Sequence, residues 1–378
     1  MALQEKLVPS AKQASPFTVR STPVFDPKVH LAYEPPSQRL SMGDLGLDEA
    51  HNGPSSAIAV TAPFPLASRE GVIALRQAIL DPAVLSHCLV YSHMTGPHAQ
   101  LRGMAPHAAE FVAEFWQHPE TLKAISEAAG EELVPYMDIE LGHTNIQVPK
   151  GMSRVDYMRG LDADPFAPPS VSLLSDEAGS KTVNSGDRTA PLVVDYHKDA
   201  YPWVAVLMLS DVSKMTGGET ALRKGDGSLF KARAPSLGSI VVMRGGSITH
   251  CALPCEGASE RITMVTSFRP RHSTQDFSNL HNIIDCSNLN ELYEQWTEAR
   301  LDILGNKLKA YKQVLANRRR RLEARDGVLG GLREPTVDLE ELHRLTDEIN
   351  EHMSRTLSEM APYTSSRNVW TPKPRIHL

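Results

Sequence analysis

Apolar residues follow two rhythms along the chain. In "LASREGVIALRQAIL" (66–80) they recur with a helical period, with Ser68 placed as N-cap and Asp81-Pro82 as the stop. A second helical region is predicted over about 105–117, and a third follows Pro119 through "ETLKAISEAAGEEL". Around "MDIELGHTNIQVP" (137–149) the period shifts toward two, which predicts the first strand. From Pro191 to about Arg271, short β-type runs alternate with turn signals: "PLVVDYH", "WVAVLMLS", "GGETAL", "GSIVVM" and "RITMVTSF". Short strands punctuated by glycine predict a sandwich or jelly roll rather than a parallel α/β sheet.

After Asp285 the helical period returns. Leu292, Trp296, Ile303, Leu304, Leu308, Tyr311 and Leu315 form one stripe of a long helix. "GVLGGLREPT" breaks it, and Leu339, Leu342, Leu345, Ile349, Met353 and Met360 mark a second helix with Thr336 as N-cap. Such stripes fit packing onto the sheet domain or a homodimer contact. The basic run Arg318–Arg321 reads as a solvated helix end.

The remaining stretches set the domain expectation. Residues 1–55 are rich in Pro, Ser and isolated charges without a sustained period, and read as an N-terminal arm. Residues 160–190 read as a long polar loop, expected to be a lid, a binding loop or disorder. The expected division is arm 1–55, a main domain at 56–275 with its β core over about 137–271, and a C-terminal helical extension at 276–378.

Composition narrows the class. At 378 residues, with 41% hydrophobic and 22% charged residues, the chain is typical of globular proteins. A net charge of −6 gives no electrostatic footprint for nucleic acid. Cys88, Cys251, Cys255 and Cys286 show no paired metal-ligand spacing and are few for a disulfide framework. No apolar signal core opens the sequence and no run approaches a membrane span, so a cytoplasmic protein is expected.

One strand does not fit its own pattern. "APLVVDYHKDAYPW" (190–203) begins as a buried strand and then places Asp195, His197, Lys198 and Asp199 where apolar residues are expected. Burying a carboxylate and an imidazole is costly unless something compensates them. His197 and Asp199 share strand parity, and Lys198 points away. Alone, His-x-Asp is a weak signal. However, "GGSITHCALP" places His250 at the end of another β-type run, and Arg261 follows eleven residues on at the start of "RITMVTSF". Two histidines and a carboxylate make a facial triad that suits non-haem Fe(II) and leaves one face of the ion open. Arg261 suits the far carboxylate of a chelating diacid, bound in a fork, and Thr263 can add a hydroxyl beside it. Each residue has an ordinary alternative: His197 as a hydrogen-bonded core histidine, Asp199 as a turn residue, His250 as a strand-end histidine, Arg261 paired with Glu260 or Glu256 on the surface.

Taken together, His197, Asp199, His250, Arg261 and Thr263, in that order, resemble the Fe(II)/2-oxoglutarate-dependent dioxygenase superfamily. "MTGGETAL" (215–222) is similar to the glycine-rich turn between the two histidines of its prolyl-hydroxylase-like members. The resemblance covers about 137–271. It implies an α+β fold with a double-stranded β-helix (jelly roll) core, N-terminal helices packed on it and the C-terminal extension. It implies Fe(II) held by His197, Asp199 and His250, and 2-oxoglutarate held by Arg261 and Thr263. It also implies O2 as co-substrate and oxidation of an unactivated C–H bond (hydroxylation, desaturation or oxidative cyclisation) with release of succinate and CO2. A small-molecule substrate is expected, an amino acid or specialised metabolite. A protein or peptide hydroxylase is the alternative, and a non-catalytic jelly-roll binding protein is a third of another class. Asp199 argues against a halogenase, which needs a small residue there.

Secondary candidates complete the list. His143, Asn145 and Gln147 alternate along "GHTNIQ" and share a face, either lining the pocket or solvated; Asn145 is the preferred co-substrate contact. Tyr196 and Trp203 are expected in the core, and Cys251 and Cys255 as packed thiols. Arg223 and Arg244 carry no assignment, and Asp195 is either a support for the ligands or solvent-exposed.

Overall fold

A computed structural model describes residues 22–48, 55–166, 191–258, 260–327, 332 and 334–360. Its fold mixes helices with antiparallel sheets. The labelled strands are β1 (Arg39–Ser41), β2 (Ile58–Thr61), β3 (Ala99–Leu101), β4 (His143–Ile146), β5 (Val194–His197), β6 (Trp203–Met208), β7 (Thr220–Arg223), β8 (Leu229–Ala232), β9 (Ser239–Met243), β10 (His250–Ala252) and β11 (Ile262–Pro270). A large sheet runs β1-β2-β9-β6-β11-β4-β3 and ends on Leu89–Val90, with Phe64–Pro65 beside β9 and Leu133–Pro135 beside β11. A smaller sheet runs β8-β7-β10-β5, and Thr216–Gly217 pairs with Cys255–Glu256.

Strand β11 shows how the layers arise. All nine of its residues are buried, and they alternate between two environments. Ile262, Met264 and Phe268 enter the main apolar core; Arg261 just before the strand, Thr263, Val265 and Ser267 face a cavity. Neighbouring β6 divides likewise, with Trp203, Ala205 and Leu207 on the core side and Val204 and Val206 on the cavity side. The core side is covered by helices α1 (Arg69–Ile79), α2 (Pro82–Cys88), α3 (Glu110–Gln117) and α4 (Pro119–Ala129), which contribute Val72, Leu75, Phe111, Phe115, Trp116 and Ile125. The cavity side looks toward the smaller sheet, which supplies Val194, His197, Thr220 and His250.

Local signals explain the helix boundaries. The Ser68 hydroxyl accepts the Gly71 N–H at 2.9 Å, capping α1 as predicted. Asp81-Pro82 ends α1, but it also starts α2: Asp81 accepts the Ala83 N–H at 2.8 Å, and Pro82 occupies the first turn, where no N–H is needed. The second predicted helix begins later than expected, at Glu110.

The early chain departs from expectation. Strands at Arg39–Ser41, Ile58–Thr61 and Ala99–Leu101 precede the segment predicted as the first strand, and β1 forms an edge of the large sheet. Within 137–149 only His143–Ile146 is a strand; Asp138–Glu140 is a single 3-10 turn. Strand β8 was hidden in a polar stretch. Most of the predicted 160–190 loop lies outside the described residues.

Helices α5 (Leu289–Asp326) and α6 (Leu339–Ser358) close the chain. Asp338, not Thr336, caps α6 by accepting the Glu340 and Glu341 N–H groups. The stripe on α5 divides: Leu292, Trp296 and Ile303 are buried, whereas Leu308 is exposed and Leu304, Tyr311 and Leu315 are half-buried. Arg300 fastens this junction, 1% exposed, donating to Asp276 Oδ2 at 2.9 Å, Thr356 Oγ1 at 3.0 Å and the His352 carbonyl at 3.2 Å. Asp276 also accepts the Tyr136 hydroxyl, tying the helices to the sheet domain.

Candidate metal centre

His197, Asp199 and His250 meet at the rim of the cavity, with one ligand atom of each within 4.8 Å of the others. The smaller sheet brings the two histidines together directly, because β5 and β10 pair with His197 opposite His250. Asp199 lies just beyond β5 rather than on it. Its N–H donates to the Gly245 carbonyl at 2.9 Å, which turns the carboxylate back toward the rings. Asp199 Oδ1 stands 3.3 Å from His197 Nε2, and Oδ2 stands 3.5 Å from His250 Nε2. Lys198 is exposed.

The imidazoles are oriented by backbone. His197 Nδ1 lies 2.7 Å from the Asp195 carbonyl, and His250 Nδ1 lies 2.9 Å from the Ile248 carbonyl. A carbonyl only accepts, so each Nδ1 carries a proton and Nε2 is the nitrogen left to face a metal. Metal-ligating histidines are held in the same manner. Asp195 thus acts through its main chain; its side chain is exposed.

Electrostatics match this picture. Burial holds His250 below the ordinary imidazole range even though Asp199 opposes it. Burial also pushes His197 down, but the hydrogen bond and charge of Asp199 outweigh it and leave His197 raised. Burial raises Asp199, yet His250 and His197 hold its carboxyl at about 2. Asp199 Oδ2 is buried without a hydrogen-bond partner. Two bare imidazole nitrogens and an orphaned carboxylate oxygen form a donor set that fits a divalent first-row ion. The cluster fits a facial triad.

Arg261 occupies another part of the same cavity. It is 1% exposed, and its contacts are the Gly218 carbonyl at 3.1 and 3.3 Å and Thr263 Oγ1 at 3.4 Å. No ion pair to Arg261 occurs among the described residues. Glu260 is not its partner, because Glu260 is committed to buried Arg76. Burial lowers Arg261 to about 10, outweighing Cys255, Glu219 and Cys251, which oppose it. Gly218, from the glycine-rich turn, has φ +77, and a Cβ there would lie 2.7 Å from Met215 Sδ. That close approach lets its carbonyl reach the guanidinium.

The other candidates separate. His143 and Asn145 line the cavity; Asn145 Oδ1 accepts from Gln100 Nε2 at 2.8 Å. Gln147 is spent on the Cys255 backbone, bonding both its N–H and its carbonyl at 2.9 Å. Trp203 is fully buried, but Tyr196 is 39% exposed with Arg223 stacked 4.8 Å from its ring centre, so the core assignment fails for Tyr196. Arg244 lies 5.7 Å from the Trp203 ring. Cys251 and Cys255 are buried free thiols.

Sequence reading missed Gln100, Arg102, Glu140 and Tyr201, which also line the cavity. A glutamate amid the apolar residues of "MDIEL" was the one visible signal. No helix among the described residues is long and apolar enough to cross a membrane.

The chain is similar to several solved structures. One is a prolyl-4-hydroxylase from Pseudomonas putida, at 16% identity, covering 54% of this chain and 88% of that one with a TM-score of 0.32. Another is an oxidoreductase of the 2OG-Fe(II) oxygenase family from Burkholderia pseudomallei, at 12% identity, covering 47% and 71% with a TM-score of 0.30. A third is the non-heme alpha-ketoglutarate-dependent epimerase SnoN from nogalamycin biosynthesis, at 14% identity, covering 54% and 74% with a TM-score of 0.33. No family model and no curated protein matches the chain. What the cavity can do is decided by its own residues.

Proposed function

We propose that this protein is an Fe(II)/2-oxoglutarate-dependent oxygenase that oxidises an unactivated C–H bond of a small molecule. The observation that carries the proposal is Arg261. A guanidinium buried without a carboxylate partner faces the same cavity as a three-residue metal-ligand cluster. Burying an unpaired charge is costly, so the site is built for a ligand that brings the missing anion. A diacid that chelates a metal at one end and offers a carboxylate at the other meets both requirements.

In this reading His197, Asp199 and His250 hold Fe(II). When bound, the iron and 2-oxoglutarate supply the oxidising power, consuming O2 and releasing succinate and CO2. The residues of the chain bind and position. Arg261 and the Thr263 hydroxyl hold the distal carboxylate of the co-substrate, and Asn145, oriented by Gln100, lines the wall between strands. Val204, Val206, Met243 and Val265 form the apolar wall that keeps bulk water from the reacting carbon. The cavity is a concave pocket whose apolar walls carry a few convergent polar groups, the lining typical of small-molecule sites, which favours a metabolite over a protein substrate. We read the two facing sheets as a double-stranded β-helix and 56–275 as the oxygenase domain, with 276–378 as a helical extension. Four buried free thiols support a reducing, cytoplasmic setting.

Anaerobic addition of Fe(II) and then 2-oxoglutarate tests the assignment. A visible charge-transfer band is expected on adding the diacid, and admitting O2 is expected to give succinate. If neither appears with the folded protein, the enzyme reading fails.

A further inference from the structure

Beyond the metal cluster and Arg261, the cavity contains a second polar pole that neither uses. Arg102 and Glu140 form a buried ion pair there, with side chains 8% and 2% exposed. His143 Nδ1 lies 3.9 Å from Glu140 Oε2, too far for a hydrogen bond. Arg102 Nε, His143 Nδ1 and Tyr201 Oη are all buried with no hydrogen-bond partner. Native interiors pair nearly all such atoms. Three orphans in the wall of one cavity mark a place where a ligand supplies the partners.

That ligand is not the co-substrate held by Arg261. His143 stands opposite Val265 on β11, four residues from Arg261, a separation of about 13 Å along the strand. A five-carbon diacid is shorter than two residues of extended chain, about 7 Å. Held by its far carboxylate at Arg261, it is shorter than that strand separation. We therefore assign the second pole to a distinct molecule, whose chemistry can be read from the orphans. Arg102 Nε–H and the Tyr201 hydroxyl are free donors suited to a carboxylate. Glu140 Oε2 and His143 Nδ1 are acceptors suited to an ammonium. The Arg102–Glu140 pair has no net charge, so a ligand with a net charge would be buried uncompensated.

We propose that Arg102, Glu140, His143 and Tyr201 form the substrate-recognition pole and that it takes a zwitterionic head group, a carboxylate and an ammonium on neighbouring atoms, as in a free α-amino acid. As a substrate assignment this rests on the oxygenase reading; as a binding site it does not. Tyr201 is a specificity residue held by ring packing on Tyr136 at 4.4 Å, so removing its hydroxyl leaves the ring in place.

The test is calorimetric binding of the twenty common L-amino acids, each alone, to the protein with and without Fe(II) and 2-oxoglutarate under anaerobic conditions. At least one is expected to bind, with affinity falling tenfold or more on N-acetylation and on methyl esterification. Tyr201→Phe is expected to weaken it at least fivefold while 2-oxoglutarate affinity stays within twofold; Glu140→Gln, which keeps a hydrogen bond to Arg102, is a second probe with the same expectation. Binding of none, or binding indifferent to both cappings and both variants, overturns the proposal. If amino acids bind but no iron–diacid band forms, the recognition pole stands and the oxygenase reading falls.

Discussion

Asp199 and Gly245 are fitted to each other at two points. The Asp199 N–H donates to the Gly245 carbonyl at 2.9 Å, and the Asp199 carboxylate packs so close to Gly245 that a Cβ there would lie 1.8 Å from Oδ2. The same Cβ would lie 2.7 Å from Val204 Cγ1, so there is no room to shift. Gly245→Ala is therefore expected to displace the carboxylate rather than unfold the chain. Supports of metal ligands commonly change affinity by about 10–100-fold, and a loss of that size is expected for Fe(II) or a Co(II) surrogate. Metal titration alongside circular dichroism checks it; wild-type affinity would show that the carboxylate tolerates the methyl group.

Arg261→Met should separate function from stability. Losing a charge-assisted bond of roughly 1.5–3 kcal/mol raises the 2-oxoglutarate requirement by about 10–150-fold. Without the diacid, the same change removes a buried, unpaired guanidinium, and the ligand-free protein should become more stable by about 1–4 kcal/mol. Urea titrations with and without 2-oxoglutarate read both effects. A destabilised ligand-free variant would mean that the hydrogen bonds to Gly218 and Thr263 outweigh the cost of the buried charge.

Arg300 predicts the opposite sign. It too is buried, but its donors meet Asp276, Thr356 and His352. Arg300→Met strands the Asp276 carboxylate, and a loss of about 3–5 kcal/mol is expected. Denaturant midpoints measure it, and faster proteolysis of the C-terminal helices should accompany it. A stability within 1 kcal/mol of wild type, by the same energy scale, would sink this account.

Asp195→Ala is expected to be nearly silent. The side chain is exposed, and only its carbonyl reaches His197, so metal affinity should stay within about twofold of wild type. A tenfold loss in the metal titration would give the Asp195 carboxylate a role that its position does not explain.

The centre was legible in the sequence because its signals are local anomalies. His197, Asp199 and His250 each interrupt or end a β-type run, and Arg261 opens one; paired strands need only bring such ends together. The second pole was not legible. Arg102 and Glu140 are ordinary charges until the chain places them face to face inside the fold. Strands β1, β2 and β3 are three or four residues long, too short for alternation to emerge, so the large sheet appeared to begin at His143. Asp81-Pro82 carried a stop and a start in the same two letters. Tyr196 looked apolar by type, but it sits on the outward side of a strand at the edge of the smaller sheet, where Arg223 covers it.

The carbonyls of Asp195 and Ile248 give the centre an uncommon economy. Both imidazoles take their tautomer and aim from main chain two residues upstream, so the exposed side chain at 195 is free to vary while Ile248 is constrained only by its core packing. The cost of this arrangement is that the orientation of the two rings has no support independent of the strands. If the end of β5 or β10 frays, the carbonyl turns away, the ring loses its orientation, and metal affinity and strand pairing are lost in one event. Metal retention should then follow hydrogen-exchange protection at the ends of these two strands more closely than the stability of the helical core.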